Sequence, residues 1–135
     1  MTLRTAQPCP CRTQRDALPY QSCCGRYHAA GDLHMKAPDA EALMRSRYSA
    51  FVLGLDGYLR DTWHASTHPA YIEPDPPGLK WLGLDVRRHT LQAADQATVV
   101  FVARSKRHGR AHRLVETSRF VREDGRWFYV DGESA

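Results

Sequence analysis

The chain is 135 residues long, with 42% hydrophobic and 25% charged residues and a formal net charge of +4. That length bounds it to one domain plus a short appendage, and the composition is ordinary for a soluble globular protein. No apolar run approaches the roughly 18–20 residues of a membrane span, and Met1–Pro8 offers no secretory signal, so no membrane contact and a cytoplasmic location are expected.

The first feature in chain order is a group of cysteines. All four lie between positions 9 and 24, as Cys9-Pro10-Cys11 and, eleven residues further on, Cys23-Cys24. Clustered thiols in a reducing compartment more often hold metal than form disulfides. A direct Cys23–Cys24 bridge would close a strained ring, and neither pair has the two-residue spacing of a redox dithiol. Four thiolates close a tetrahedral site around Zn²⁺, so Cys9, Cys11, Cys23 and Cys24 are the expected metal ligands. Such a site has no open position for water or substrate, which makes it structural. Arg12, Arg15 and Arg26 are placed to offset its negative charge. His28 is near enough to compete as a ligand, but four cysteines already satisfy the metal.

Two helices follow. Asp39 is a plausible N-cap, Glu41 suits the positive helix end, and Gly54 marks the stop. Between them Leu43, Met44, Tyr48, Phe51 and Val52 recur at helical spacing. Arg47 lies four residues from both Leu43 and Phe51 and so projects from the apolar stripe. Arg45, one turn after Glu41, is expected on the solvent side as a surface ion pair. A second, short helix is predicted after a cap at Asp56, with Tyr58, Leu59, Thr62 and Trp63 inward. Glu73–Gly78 is a proline-rich connector.

After Gly78 the period changes from helical to two. Leu82, Leu84 and Val86 alternate with Trp81, Asp85 and Arg87, which predicts a half-buried strand, and Ala97–Arg104 predicts a more central one. A turn at Lys106–Gly109 precedes a long strand from about His112 to Arg122. Asp124-Gly125 is a two-residue hairpin signal, returning through Arg126–Asp131. In that register Glu123 pairs with Arg126, Phe120 with Tyr129 and Ser118 with Asp131. Leu114, Glu116, Ser118, Phe120, Trp127, Tyr129 and Asp131 then share one face, expected to be the concave one. The plan is α+β: helices on one face of an antiparallel sheet of about four strands.

The cysteine segment, with Tyr20, Gly25 and Tyr27-His28, resembles the SEC-C zinc motif. Glu41–Leu53, Tyr58–His64, Trp81–Leu84, Phe101–Arg104, Glu116–Phe120 and Gly125–Gly132 resemble, in order, the YchJ family of small bacterial proteins. Two departures fall in the knuckle: Arg12-Thr13 replaces the usual Gly-Ser, and the loop before Cys23 is about three residues longer. The resemblance implies a zinc knuckle over residues 1–30 and a nuclear-transport-factor-two-like, cystatin-like cone over 38–135. It also implies a homodimer through the convex face, but no assigned activity.

Arg47, Tyr48, Trp63, His64, Glu116, Ser118, Tyr129 and Asp131 are the expected polar and aromatic wall of a small-ligand pocket. Arg47 is expected to pair with Glu116 or Asp131, because a buried guanidinium needs a partner. His64, at a helix end, is expected to cap or pack rather than act as a base, and no catalytic residue is assigned. Arg104–Arg113 concentrates basic charge at a hairpin tip suited to phosphates. The function expected first is a zinc-stabilised interaction module, docking a protein or ribonucleoprotein through the knuckle. The alternatives are a lyase or isomerase using the cone pocket, an adaptor bound to nucleic acid or ribosomes, and metal storage or sensing.

Overall fold

The computed structural model describes residues 7–134. Most of Met1–Pro8 therefore lies outside the described residues. A single turn of 3-10 helix, Tyr20–Ser22, leads into α1 (Gly25–His28), followed by α2 (Ala40–Leu53) and α3 (Asp56–Asp61). Four strands complete the chain: β1 (Lys80–Ala93), β2 (Gln96–Arg107), β3 (Arg110–Glu123) and β4 (Arg126–Ser134). They form one antiparallel sheet in the order β1-β2-β3-β4. No helix among the described residues is long and apolar enough to cross a membrane.

The signals at the ends of α2 act as read. Asp39 is extended at φ −151° and its carboxylate accepts the Ala42 N–H at 2.7 Å, while Gly54 closes the helix at φ 72°. The interior is buried on both sides. Leu43, Met44, Arg47 and Tyr48 are buried, but so are Ser46 and Ser49 on the opposite face. α3 begins one residue earlier than expected, on the residue read as its cap. Leu55 stands at the N-cap without a side-chain bond, and Asp56 sits inside the first turn, where its charge still meets the helix dipole.

Two hairpin turns carry the mark of type I′ geometry, with both central residues at positive φ: His108 and Gly109 at 52° and 75°, Asp124 and Gly125 at 51° and 76°. Ala97, Val99, Phe101 and Ala103 of β2 pack toward α2 together with Ser118 and Phe120 of β3. After α3, residues 62–64 run along the outer edge of β4. The Tyr129 N–H donates to the Thr62 carbonyl at 2.9 Å and the His64 N–H to the Tyr129 carbonyl at 2.7 Å, so that edge is covered.

Bulges correct two expectations. In β1, Trp81 pairs with Ser105 and Gly83 with Arg104, which leaves Leu82 as an extra residue. Leu82 is therefore 55% exposed, and Trp81, expected outward, turns inward against Tyr48 and Phe51. In β4 the pairings Glu123–Arg126 and Phe120–Tyr129 hold, but Arg119 pairs with Asp131 and Ser118 with Gly132. Val130 is the extra residue, and it flips Asp131 to the opposite face. There Asp131 forms a two-pronged ion pair with Arg119, at 2.6 and 2.7 Å.

Replacing the capping side chain isolates one of these terms. Asp39→Ala is expected to lower unfolding free energy by about 1 kcal/mol, and Asp39→Asn by less, in urea denaturation. Equal losses in the two variants would mean that the cap bond is not what fixes the start of α2.

Candidate metal centre and cavity

The cysteine segment is shaped by its own backbone. The Cys9 N–H donates to the Leu18 carbonyl at 2.8 Å, and the Arg12 N–H closes a turn onto the Cys9 carbonyl at 3.1 Å. Pro10 sits within that turn, fixing φ between the first two thiols. From the other side the Cys23 N–H donates to the Tyr20 carbonyl at 3.0 Å, and α1 starts immediately after Cys24. Gly25 is required here, because a Cβ at this position would lie 2.7 Å from the Tyr20 carbonyl oxygen. The four Sγ atoms consequently lie within 4.8 Å of one another, all four cysteines buried.

Spacing and chemistry fit a metal. Tetrahedral Zn–S bonds of about 2.3 Å require sulfur–sulfur edges of about 3.8 Å. Here Cys11 Sγ lies 3.5 Å from both Cys23 Sγ and Cys24 Sγ. Hydrogen bonding from Cys11 draws the Cys9 thiol down to about 6 and is the largest influence lowering Cys23. Cys11 and Cys24 are pushed upward, chiefly by Cys23 and by Cys11 respectively, because four adjacent sulfurs cannot all ionise without a cation. A divalent ion held by the four sulfurs would remove that conflict by displacing the remaining protons.

The support comes from the expected Arg12 and Arg26 and from Ser49 and Arg45, which sequence reasoning did not connect with the cluster. Ser49 Oγ of α2 donates to Cys24 Sγ at 3.3 Å and lies 3.4 Å from Cys9 Sγ. Arg12, one of the departures from the usual motif, donates from Nε to Cys23 Sγ at 3.3 Å. Thr13, the other, binds Asp16 Oδ1 through both N–H and hydroxyl at 2.7 Å, organising the longer loop. Arg26 donates to the Cys23 carbonyl at 2.9 Å, whereas Arg15 is exposed. Arg45 keeps its expected pair with Glu41 at 3.0 Å, but it is no simple surface residue: Nη1 also donates to the Cys11 carbonyl at 2.8 Å.

His28 ties the same segment to α2. Its Nε2 lies 2.8 Å from the Ser46 carbonyl, which can only accept, so Nε2 carries the proton. Nδ1 is then the acceptor for the Tyr20 hydroxyl at 2.6 Å. Burial depresses the His28 pKa, in keeping with this neutral tautomer. The spacing of Ser46 and Ser49, one turn apart opposite the Leu43–Tyr48 stripe, is the signal that would have marked α2 as two-faced.

On the other side of α2 a cavity of about 200 Å³ opens toward the sheet. It gathers six of the eight expected residues: Arg47, Tyr48, Trp63, Glu116, Ser118 and Tyr129. Leu114, Phe120 and the inward-turned Trp81 also line it, so the predicted face, apart from Trp127 and Asp131, is the one that meets the cavity. His64 does not line it. Its Nε2 lies 2.8 Å from Glu123 and its Nδ1 2.7 Å from Ser66, away from the interior.

Arg47 is buried, but the expected ion pair is absent among the described residues. Nη1 donates to the Leu59 carbonyl at 2.7 Å and to Thr62 Oγ1 at 2.8 Å. The guanidinium lies 4.5 Å from the Tyr129 ring centroid and 5.2 Å from that of Trp63, a double cation–π arrangement. Desolvation brings its pKa down to about 10, so it remains a cation at neutral pH. Glu116 instead accepts the Ser118 hydroxyl at 2.7 Å and lies over Gly132, whose missing Cβ gives it room.

A four-stranded antiparallel sheet facing helices, with a cysteine knuckle on the far side of α2, defines a nuclear-transport-factor-two-like α+β protein carrying a SEC-C-type segment. The family description "YchJ, middle NTF2-like domain" matches residues 39–132, and the chain belongs to the YchJ family. It is 64% identical over 126 residues to a UPF0225 protein of Methylibium petroleiphilum, covering 93% of this chain and 88% of that one. A UPF0225 protein of Bordetella pertussis is 54% identical over 125 residues, covering 93% and 91%. Among solved structures, a SEC-C motif containing protein from Rhodopseudomonas palustris superposes with a TM-score of 0.80 at 29% identity, covering 96% of this chain and 99% of that one. A second, from Psychrobacter arcticus, gives 0.74 at 27% identity, covering 97% and 84%.

The knuckle geometry makes a direct forecast. Gly25→Ala must push the Tyr20 turn away from Cys24, and is expected to weaken metal retention against a competing chelator by roughly tenfold or more. Gly57→Ala, where an added Cβ meets nothing within 4 Å, is the control and leaves retention unchanged. Equal retention in both variants would show that the close approach at Gly25 does not shape the cluster.

Proposed function

We propose that this protein is a binding module in which Zn²⁺ at Cys9, Cys11, Cys23 and Cys24 serves as a structural staple and the cavity takes a small ligand. The observation that carries this reading is the closure of the thiol cluster. Four buried sulfurs lie within 4.8 Å of one another, enough ligands for a tetrahedral ion, and Ser49, Arg12 and Arg45 occupy their surroundings. An ion held there cross-links Cys9-Pro10-Cys11 to Cys23-Cys24 with no open coordination position, and Ser49 and Arg45 dock the closed loop on α2 by hydrogen bonds. Burial and closure also speak against storage or sensing, which need an exchangeable ion. The cavity argues for binding over catalysis on its own terms. Its carboxylate, Glu116, is engaged by Ser118, and its lining contains no histidine to act as a proton-transfer partner.

The test is metal content with thiol reactivity. Protein purified without a tag is expected to hold one zinc per chain, with all four thiols protected until a strong chelator strips the metal. Cys24→Ser is expected to lose zinc and to lower Tm. Four freely reacting thiols in the untreated protein would overturn the staple.

A second reading rests on the β2–β3 hairpin. Arg104 pairs across the sheet with Arg113, and Arg107 with Arg110, so like charges face each other at two positions of the hairpin end. Arg104, Lys106, Arg110 and Arg113 are exposed, and none has an ion pair with a carboxylate among the described residues. A phosphate-rich partner would relieve that repulsion, which supports nucleic acid as the class of macromolecule bound there. Replacing these four by Gln is expected to abolish binding of a fluorescent single-stranded RNA. In the unaltered protein that binding should weaken steeply between about 50 and 200 mM salt. Binding that ignores both salt and the substitutions would remove this reading.

A further inference from the structure

The cavity's polar groups are unevenly satisfied, and the imbalance has a sign. Arg47 uses Nη1 for both of its acceptors, the Leu59 carbonyl and Thr62 Oγ1. Its Nε and Nη2 meet no acceptor among the described residues. Neither belongs to the buried unpartnered class, where Trp63 Nε1 stands alone among the described residues, so this edge opens on the cavity that Arg47 lines. Trp63 belongs to the same wall, with its ring 5.2 Å from the guanidinium. The wall thus has donors to spare, while its carboxylate, Glu116, is engaged through Oε2 by Ser118 and not by Arg47.

The shape of the free edge matters. Nε–H and Nη2–H of a guanidinium form the planar fork that matches a carboxylate with two parallel bonds. Stacking of the guanidinium on Tyr129 and Trp63, and the two bonds at Nη1, hold this fork in one orientation before anything binds. The rest of the lining is predominantly aromatic, including Phe51, Phe120 and Trp81. A volume of about 200 Å³ is only six or seven times the roughly 30 Å³ share of a liquid water, which suits a ligand of roughly ten non-hydrogen atoms. The adjoining cleft beside Tyr71 and Ile72 is larger, at about 410 Å³, but contains neither Arg47 nor Glu116.

Resting on the reading of the cavity as a ligand site, we infer that its ligand is a small aromatic or apolar monocarboxylate. The carboxylate meets the Nε/Nη2 edge of Arg47, and the hydrocarbon part lies among the aromatic rings. Glu116 lines the same space without an ion pair to Arg47 among the described residues, so it sets the strength of the site: its charge opposes a second anion. A neutral isostere forfeits the charge-assisted pair and leaves the fork unmatched, and a cationic isostere meets Arg47 with like charge.

The experiment uses the full metal-loaded chain and four probes: benzoate, phenylacetate, benzamide and benzylamine. Binding is followed by calorimetry and by amide shifts in two-dimensional NMR. The carboxylates are expected to bind at roughly 1 mM or tighter, and benzamide at least about tenfold more weakly. Arg47→Met, which keeps the stem's bulk, is expected to abolish the preference for carboxylate. Glu116→Gln is expected to tighten benzoate severalfold and leave benzamide unchanged. Leu114→Trp, which fills the accessible rim without touching Arg47, is expected to exclude all probes, and it keeps the test decisive if Arg47→Met fails to fold. Equal binding of benzoate and benzamide, or weaker benzoate binding in Glu116→Gln, overturns the carboxylate assignment while the cavity stands as a ligand site. No binding by any probe overturns both.

Discussion

Everything in this molecule depends on one helix being buried from two sides. α2 presents Leu43, Met44, Arg47 and Tyr48 to the sheet and Ser46 and Ser49 to the cysteine segment. The residue sizes follow from what each side must meet. Large side chains fill the gap to a sheet lying across the cavity. On the knuckle side, small hydroxyls let the thiol cluster come within hydrogen-bonding distance of the helix, and each hydroxyl finds an acceptor. Ser46 Oγ donates to the Leu43 carbonyl at 2.7 Å and meets Tyr58 Oη at 2.7 Å. A helix with one apolar stripe would satisfy one neighbour and leave the other without partners.

Arg47 is the most demanding consequence. A cation taken out of water costs several kcal/mol unless its surroundings replace hydration. Here the replacement is distributed over a helix-end carbonyl, a threonine hydroxyl that itself donates to the Tyr58 carbonyl at 2.7 Å, and two aromatic faces. Cation–π contacts of this kind contribute on the order of 1–2 kcal/mol each when desolvated. The arrangement explains why Thr62 is buried and why the chain after α3 returns to β4: Trp63 and Tyr129, edge to face at 5.1 Å, must both stand close to the guanidinium. The backbone bonds between residues 62–64 and Tyr129 therefore both cover a sheet edge and assemble the cage.

Much of this was legible in the residues. The cap at Asp39, the stop at Gly54 and the hairpin at Asp124-Gly125 carry local chemistry that tertiary structure has no reason to override. The cysteine spacing pointed to a cluster, and helical periodicity placed Arg47 on the inward stripe. What was not legible has a common cause in register. A strand sequence fixes which residues alternate, but an inserted residue reverses that alternation without leaving a mark in composition. Leu82 and Val130 each do so, which is why Trp81 was expected outside and Asp131 inside. Val130 also lies where Thr67 reaches β4, its hydroxyl donating to the Val130 carbonyl at 2.6 Å. That contact is set by a loop sixty-three positions earlier in the chain, and no window of local sequence contains it. Arg45 and His28 escaped for a similar reason: both bond to backbone carbonyls, which every residue possesses and no sequence pattern advertises.

The knuckle and the cavity are mechanically one unit. Ser46 and Ser49 flank Arg47 and Tyr48 along α2 and point to the opposite side, so any roll of the helix that improved one face would displace the other. His28, Arg45 and Ser49 hold the knuckle face at three heights along the helix, through the Ser46 carbonyl, the Cys11 carbonyl and Cys24 Sγ. Three anchors spread along an axis leave little freedom to rotate about it. The position of the Arg47 fork is accordingly set from both sides of the helix, by the aromatic cage in front and by the cysteine segment behind. A short domain of this size has limited apolar area with which to immobilise a buried cation. Backing the helix with the cysteine loop supplies rigidity that a thicker core would otherwise provide.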